Sequence, residues 1–219
     1  MERIPEVECM DDPEEAREYA AMDHSEANLA FVEALLAFGM DHGTLLDLGT
    51  GPGDIPILLV GRCPEVQVRA IDLSNEMLKI ARLHVARAGL SRQISFQLVD
   101  AKALPFADGF FDGVFSNTIL HHVADPIVFL REGFRVLKPG GRLLIRDLYR
   151  PEDEAGLEQL VTLHAKDGSS RQRELFRDSL RAAYLPHELV ALCEEAGLPR
   201  PEVTVDSDRH MTLRLVRTC

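Results

Sequence analysis

"LLDLGTGPGDIPILL", Leu45 to Leu59, is the stretch on which the reading of this chain turns. An apolar run stops, passes three glycines at alternate positions (Gly49, Gly51, Gly53) and then resumes. Thr44–Leu48 predicts a strand, and Asp54–Gly61 the helix that follows it. Glycines between them strip side chains from the turn, so the backbone can come close to a bound molecule. In open α/β sheets, ligands bind beyond the carboxyl ends of the strands, where such turns lie. Similar turns also occur with nothing bound, so the loop alone leaves both readings open.

Two neighbouring acids narrow the choice. The dinucleotide fingerprint G-x-G-x-x-G requires glycine at position 54, where this chain has Asp54. A carboxylate at a helix N-terminus repels the pyrophosphate that the position otherwise attracts, although Asp54 also serves as a plain helix N-cap, with Pro56 tolerated in the first turn. The loop therefore favours a nucleoside without phosphates. Asp72 ends the strand "VRAID", 23 residues after Gly49 and near the spacing of about 20 at which an acid meets ribose hydroxyls. Capping of the next helix is its structural alternative, but Ser74 is better placed for that. Leu73 and Met77 offer apolar surface to a flat base; Met77 equally suits the core.

Outward from this turn, strands alternate with helices, the pattern of βαβ units on a parallel sheet. Strands are expected at Val66–Ile71, Ile94–Leu98, Gly113–Ser116 and, after the "KPGG" turn, Arg142–Arg146. Helices are expected at about 74–88, 125–137 and 186–196, with two more near Pro13–Met22 and Glu26–Phe38. About 152–183 is a polar helical insert, longer than an ordinary connection and suited to a cover or partner surface. Glu202–Asp206 and Met211–Arg217 follow one another without a helix and predict an antiparallel pair at a sheet edge.

The 219 residues suffice for one well-buried core and are short for two domains, so a single domain is expected, with a helical cap at about 11–40 and the insert at about 152–183. No apolar run is long enough to span a membrane. "MERIPEVECMDDPEEAREY" is acidic and lacks the layout of a secretory signal, which makes the cytoplasm the expected location. Cys9, Cys63, Cys193 and Cys219 form no C-x-x-C pair, arguing against zinc or a disulfide framework. The net charge of −12 disfavours a broad nucleic-acid footprint and suits a cationic ligand.

Taken together, "LLDLGTGPGD", "AIDLS", "LVDAKALPFADGFFDGVFSNTILHHVADP" and "REGFRVLKPGGRLLIRDL" resemble the class I S-adenosylmethionine-dependent methyltransferases, in particular the methyltransferase-11 type. The likeness covers about Leu45–Asp147. It implies a Rossmann-like three-layer α/β sandwich whose seven-stranded, mostly parallel sheet has the order 3-2-1-4-5-7-6, with strand 7 antiparallel. It implies S-adenosylmethionine as cofactor and S-adenosylhomocysteine as product. By the same resemblance Asp47, Gly49 and Gly51 line the methionine part, and Asp72 takes the ribose hydroxyls. Leu73 then flanks adenine, Asp100 and Ala101 receive its edge, and Asn117 stands beside the reacting methyl.

The acceptor side is less legible. His121 or His122 is a candidate base for a hydroxyl or thiol; the alternative is packing under the loop. Tyr19 and His24 suit a lid over the cofactor, or simply a helix capping the sheet. Asp147, Tyr149 and Arg150 follow the fifth strand and are expected to point toward the crevice, with Arg146 turned away from Asp147. Arg171, Arg173 and Arg177 suggest either an acidic acceptor or a solvated face paired with Glu174 and Asp178. His164 has no metal-like neighbours, so no metal is expected. The fourth-strand end, Ser116-Asn117-Thr118-Ile119, lacks the N/D-P-P-Y/F of many nucleic-acid amino-methyltransferases. The resulting expectation is methyl transfer to a small molecule. A non-catalytic S-adenosylmethionine-binding protein, a nucleic-acid methyltransferase and an NAD(P)-dependent oxidoreductase are the rivals.

Overall fold

The computed structural model describes residues 1–6, 12–20, 22, 24–166 and 168–218. Cys9 and Cys219 lie outside these. Two helices, α1 (Pro13–Ala20) and α2 (Ser25–Ala37), precede the sheet. Alternation then runs β1 (Thr44–Leu48), α3 (Asp54–Arg62), β2 (Gln67–Asp72), α4 (Asn75–Arg87), β3 (Ile94–Leu98), β4 (Phe111–Asn117), α5 (Pro126–Arg135) and β5 (Leu137–Leu148). After β5 come α6 (Glu154–His164), α7 (Ser170–Ala182), α8 (Pro186–Glu195), β6 (Glu202–Val205) and β7 (His210–Val216). The sheet order is 3-2-1-4-5-7-6, as expected, with β7 antiparallel to both its neighbours.

Strand alternation divides the core into two layers. Leu45, Phe115 and Leu144 face α2, α3 and α4, where Phe31, Leu35 and Leu59 are fully buried. Leu48, Val114, Leu143 and Leu213 face α5 and α8, meeting Phe129, Leu130 and Leu189. A third, smaller cluster of Leu148, Leu157, Val161 and Leu180 seats α6 and α7 over one end of the sheet. Helix starts follow local chemistry. Ser74 accepts the Met77 N–H at 3.1 Å to open α4, and Asp125 accepts the Val128 N–H ahead of Pro126 in α5.

Several expected boundaries move. The polar insert is two helices, because Gly168 and the capping box of Ser169 and Gln172 end one run and start another. The sheet also lengthens β5 at both ends. Leu137 pairs with Phe111 ahead of the glycine turn, and pairing with β7 carries the strand on to Leu148, opposite His210. Asp54 is not the N-cap of α3. Gly53 holds that position with φ +82°, a left-handed conformation that costs glycine nothing, and Asp54 begins the helix.

Candidate active site

A cavity of about 430 Å³ lies beyond the carboxyl ends of β1 to β5 and under α1, α2 and α7. Its lining includes Gly49, Gly51, Asp72, Leu73, Asp100, Ala101 and Asn117 on the sheet side. Tyr19 and His24 line it from the N-terminal side, with ring centroids 5.2 Å apart. His121 and His122 line it from the 3₁₀ turn at Leu120–His122.

At one end the glycine turn and Asp72 are locked together. Gly49 and Thr50 donate their N–H groups to the Ile71 carbonyl, and Asp72 Oδ2 accepts the Gly51 N–H at 2.8 Å. The other carboxylate oxygen accepts the Ser74 N–H at 2.8 Å. Asp72 thus shapes the turn and also lines the cavity. A Cβ on Gly51 would meet nothing within 4 Å: the turn is an open cradle. Asp100 accepts the Lys102 N–H at 2.8 Å and its ammonium at 2.9 Å. Burial raises the Asp100 pKa, but these Lys102 contacts outweigh it and leave the carboxyl below its ordinary value.

Asp47 is buried below the turn and does not line the cavity. Its Oδ2 has no hydrogen-bond partner among the described residues. Burial drives its pKa up to about 7, opposed by Thr50 and aided by the Asp72 charge. A buried acid with an orphaned oxygen, beneath an open glycine cradle flanked by Asp72, fits a polar ligand with a cationic group above it. The acids around the glycine cradle suit the hydroxyls and amine of a nucleoside better than a pyrophosphate.

The two histidines separate sharply. Asp147 is fully buried and receives Leu148 N–H, His121 N–H (2.9 Å) and His121 Nδ1 (2.6 Å). Because the carboxylate only accepts, Nδ1 is the donor in this contact, which leaves Nε2 as the nitrogen not engaged by Asp147. That Nε2 is buried without a hydrogen-bond partner among the described residues, on a ring that lines the cavity. The His122 ring lies against it, tilted by 43° with centroids 3.9 Å apart, and burial plus the neighbouring ring depress the His122 pKa to about 3. His121 is therefore the ring that Asp147 orients.

The fifth-strand expectations need correction. Asp147 faces the α5 and α8 layer beneath His121, while Tyr149 and Arg150 lie outside the cavity lining. Arg150 is buried as a tie, donating to Glu188 at 2.8 and 3.2 Å, to the Ala183 carbonyl at 2.7 Å and to the Met1 carbonyl at 3.1 Å. The reason is register. Two extra paired residues keep β5 alternating, so Arg146 and Leu148 take the cavity face instead. Arg146 donates to Asn117 Oδ1 at 2.9 Å and to the Ala27 carbonyl at 2.6 Å.

Other lining residues escaped the sequence reading. Thr118 takes φ +60°, a strained setting for a β-branched residue, directly between Asn117 and Ile119. Leu175, Phe176 and Ser179 cover the cavity from α7, and Arg209 and His210 reach it from the start of β7. Only the antiparallel return of β7 brings those last two to the carboxyl end of β5. The insert arginines pair mostly between helices: Arg177 with Glu158 at 2.6 Å, and Arg181 with Glu154 at 3.0 Å. Arg173 donates to the Lys166 carbonyl. His164 pairs with Asp208 at 2.6 Å, and no three ligating side chains cluster among the described residues.

Residues 46–145 match a family model described as "Methyltransferase domain". A ubiquinone/menaquinone biosynthesis C-methyltransferase of Geotalea daltonii is 32% identical over 137 residues, 55% of this chain and 58% of that protein. The 27-O-demethylrifamycin SV methyltransferase of Amycolatopsis mediterranei is 32% identical over 166 residues, 76% of this chain and 57% of that protein. Across the curated relatives it matches first, the chain spans between 43% and 60% of their length. The same fold recurs in an S-adenosylmethionine-dependent methyltransferase structure from Aquifex aeolicus, with a TM-score of 0.71 at 24% identity over 94% of this chain and 99% of that one.

Proposed function

Residues 46–145 belong to the S-adenosylmethionine-dependent methyltransferase domain family, and from that premise we propose that this protein methylates a small organic acceptor. One observation carries the reading. The same cavity joins the glycine cradle and its acids to a buried histidine whose Nε2 has no hydrogen-bond partner among the described residues. S-adenosylmethionine, when bound, supplies a methyl group already activated on a sulfonium. Asp72 would hold its ribose, Asp100 and Ala101 its adenine edge, Leu73 the ring face, and Gly49, Gly51, Asn117 and buried Asp47 its methionine end.

The chain's own task is orientation, which removes several kcal/mol of barrier when the reacting groups are well aligned, on the order of 7–11 in ideal systems. His121 Nε2 takes the acceptor's proton, and Asp147 holds the ring in the required tautomer and steadies the charge the ring acquires. Tyr19, His24 and α7 exclude water from the cavity. In this reading the whole chain is one catalytic unit, with α1–α2 as cap and α6–α7 as cover. No helix among the described residues is long and apolar enough to cross a membrane. Free Cys63 and Cys193 suit work in the reducing cytoplasm.

Calorimetry tests the cofactor. S-adenosylhomocysteine should bind to wild type with micromolar affinity, while NADH should give no heat. Binding of NADH in place of S-adenosylhomocysteine would overturn the proposal.

A further inference from the structure

Arg146 is a buried cation without a counter-charge among the described residues. Its side chain is 5% exposed, and its bonds go to two neutral acceptors, the Asn117 side-chain oxygen and the Ala27 carbonyl. Its Cζ lies 4.7 Å from the Phe31 ring centroid, which favours the charge without neutralising it. Nη1 makes no hydrogen bond to any described residue, and no described carboxylate comes within ion-pair distance. Burial lowers the Arg146 pKa to about 10, leaving it charged at neutral pH. An uncompensated buried charge costs several kcal/mol, so a guanidinium left this way at a cavity wall is poised for an anion.

The neighbouring groups do not supply that anion. Asp206 attracts Arg146 only at longer range; its carboxylate accepts from Thr204 and Thr212. Arg209 is committed to Asp208 at 3.1 Å. Asp147 lies on the opposite sheet face, holding His121. His210 donates to or accepts from Ser207 through Nδ1 and is kept neutral, its pKa pushed to about 4 by burial and by the charges of Arg146 and Arg209. Leu148, next but one to Arg146 along β5, adds apolar surface to the same cavity, and α7 contributes Leu175 and Phe176 together with Gln172 and Ser179.

We infer that the β5/β7 end of the cavity is an acceptor subsite in which the Arg146 guanidinium receives the acidic group of an otherwise apolar organic acid. The inference rests on the methyltransferase reading, which leaves this end to the acceptor by filling the β1–β3 end with the nucleoside. The planar fork of Arg146 matches a carboxylate better than a point charge does. Asn117, bonded to the same guanidinium, ties the anion site to the centre of the cavity.

The test uses full-length protein loaded with S-adenosylhomocysteine and titrated with benzoate and octanoate against benzamide and octanamide. Wild type should bind each acid at least tenfold more tightly than its amide. Arg146→Gln should erase that preference while holding the S-adenosylhomocysteine Kd within twofold, and Arg146→Lys should retain part of it. Equal affinity of wild type for acid and amide overturns the inference and requires no variant to fold. So does an Arg146→Gln protein that loses S-adenosylhomocysteine more than tenfold but keeps 5′-methylthioadenosine, because the guanidinium would then serve the cofactor's own carboxylate. A wild type that binds no S-adenosylhomocysteine overturns the methyltransferase reading, and this one with it.

Discussion

At the scale of single residues, two buried aspartates do opposite work. Asp147 is satisfied by three donors and holds His121; Asp47 has an oxygen with no partner among the described residues and a pKa raised to about 7. A raised acid binds its proton more tightly in the folded state than in the unfolded one, whose value is near 3.8. The folded protein therefore loses stability as pH climbs from about 4 to 7, each tenfold difference in proton affinity between the two states being worth at most about 1.4 kcal/mol. Asp47→Asn should raise urea stability relative to wild type by more at pH 8 than at pH 5; an equal gain at both would refute the account. His121→Gln should slow methyl transfer by roughly 10²–10⁴-fold with folding retained. Asp147→Asn should also shift the pH profile of the rate, a change that a merely structural aspartate would not produce.

At the scale of elements, the glycine turn shows why local sequence was so informative. Its alternating glycines, the strand before it and the acid 23 residues later are all short-range signals, and the structure sets Gly51 and Asp72 in direct contact at 2.8 Å. A methyl group added at Gly51 meets open space, so the cost of Gly51→Ala is the left-handed φ of +54°, about 1–2 kcal/mol. The variant should stay folded and yet lose at least tenfold in S-adenosylhomocysteine affinity, because the methyl occupies the cradle. Unchanged affinity would mean that nothing binds against this turn. The end of β5 departs from the sequence expectation for the opposite reason. Its last two residues are in a strand only because β7 pairs with them from more than sixty residues away, and one residue's difference in where alternation stops reverses which side chains face the cavity.

At the scale of the whole molecule, distant segments converge on Arg150. It joins the Met1 carbonyl, the end of α7 at Ala183 and Glu188 in α8, so it locks the cover to the sheet. Burial pushes the Glu188 pKa up, but Arg150 and the Leu185 N–H outweigh it and hold the carboxyl below its ordinary range. Arg150→Met strands a half-buried acid and should cost about 3 kcal/mol in denaturant unfolding, with S-adenosylhomocysteine affinity changed less than twofold. A large loss of affinity would place Arg150 in the site after all. Net charge is a poor guide to the cavity at this scale. A total of −12 says nothing of a cavity lined by the buried Arg146, since screening confines each exposed charge to about 10 Å.

The strand order followed from the family likeness, while by itself the sequence determined the alternation of strands and helices on a parallel sheet, the glycine turn after β1 and the acid that closes β2. Those features are written in hydrophobic periodicity and in glycines and acids a few residues apart, where local sterics decide. Only the tertiary structure decided that His121 rather than His122 is held by Asp147, that Arg146 and not Arg150 meets the cavity, and that β7 returns to place His210 there. These depend on burial, on which face a strand shows, and on pairing between segments far apart in the chain. "LLDLGTGPGD" marks where the cofactor would lie; the acceptor end proposed for the cavity is assembled where β7 pairs with β5, from segments far apart in the chain.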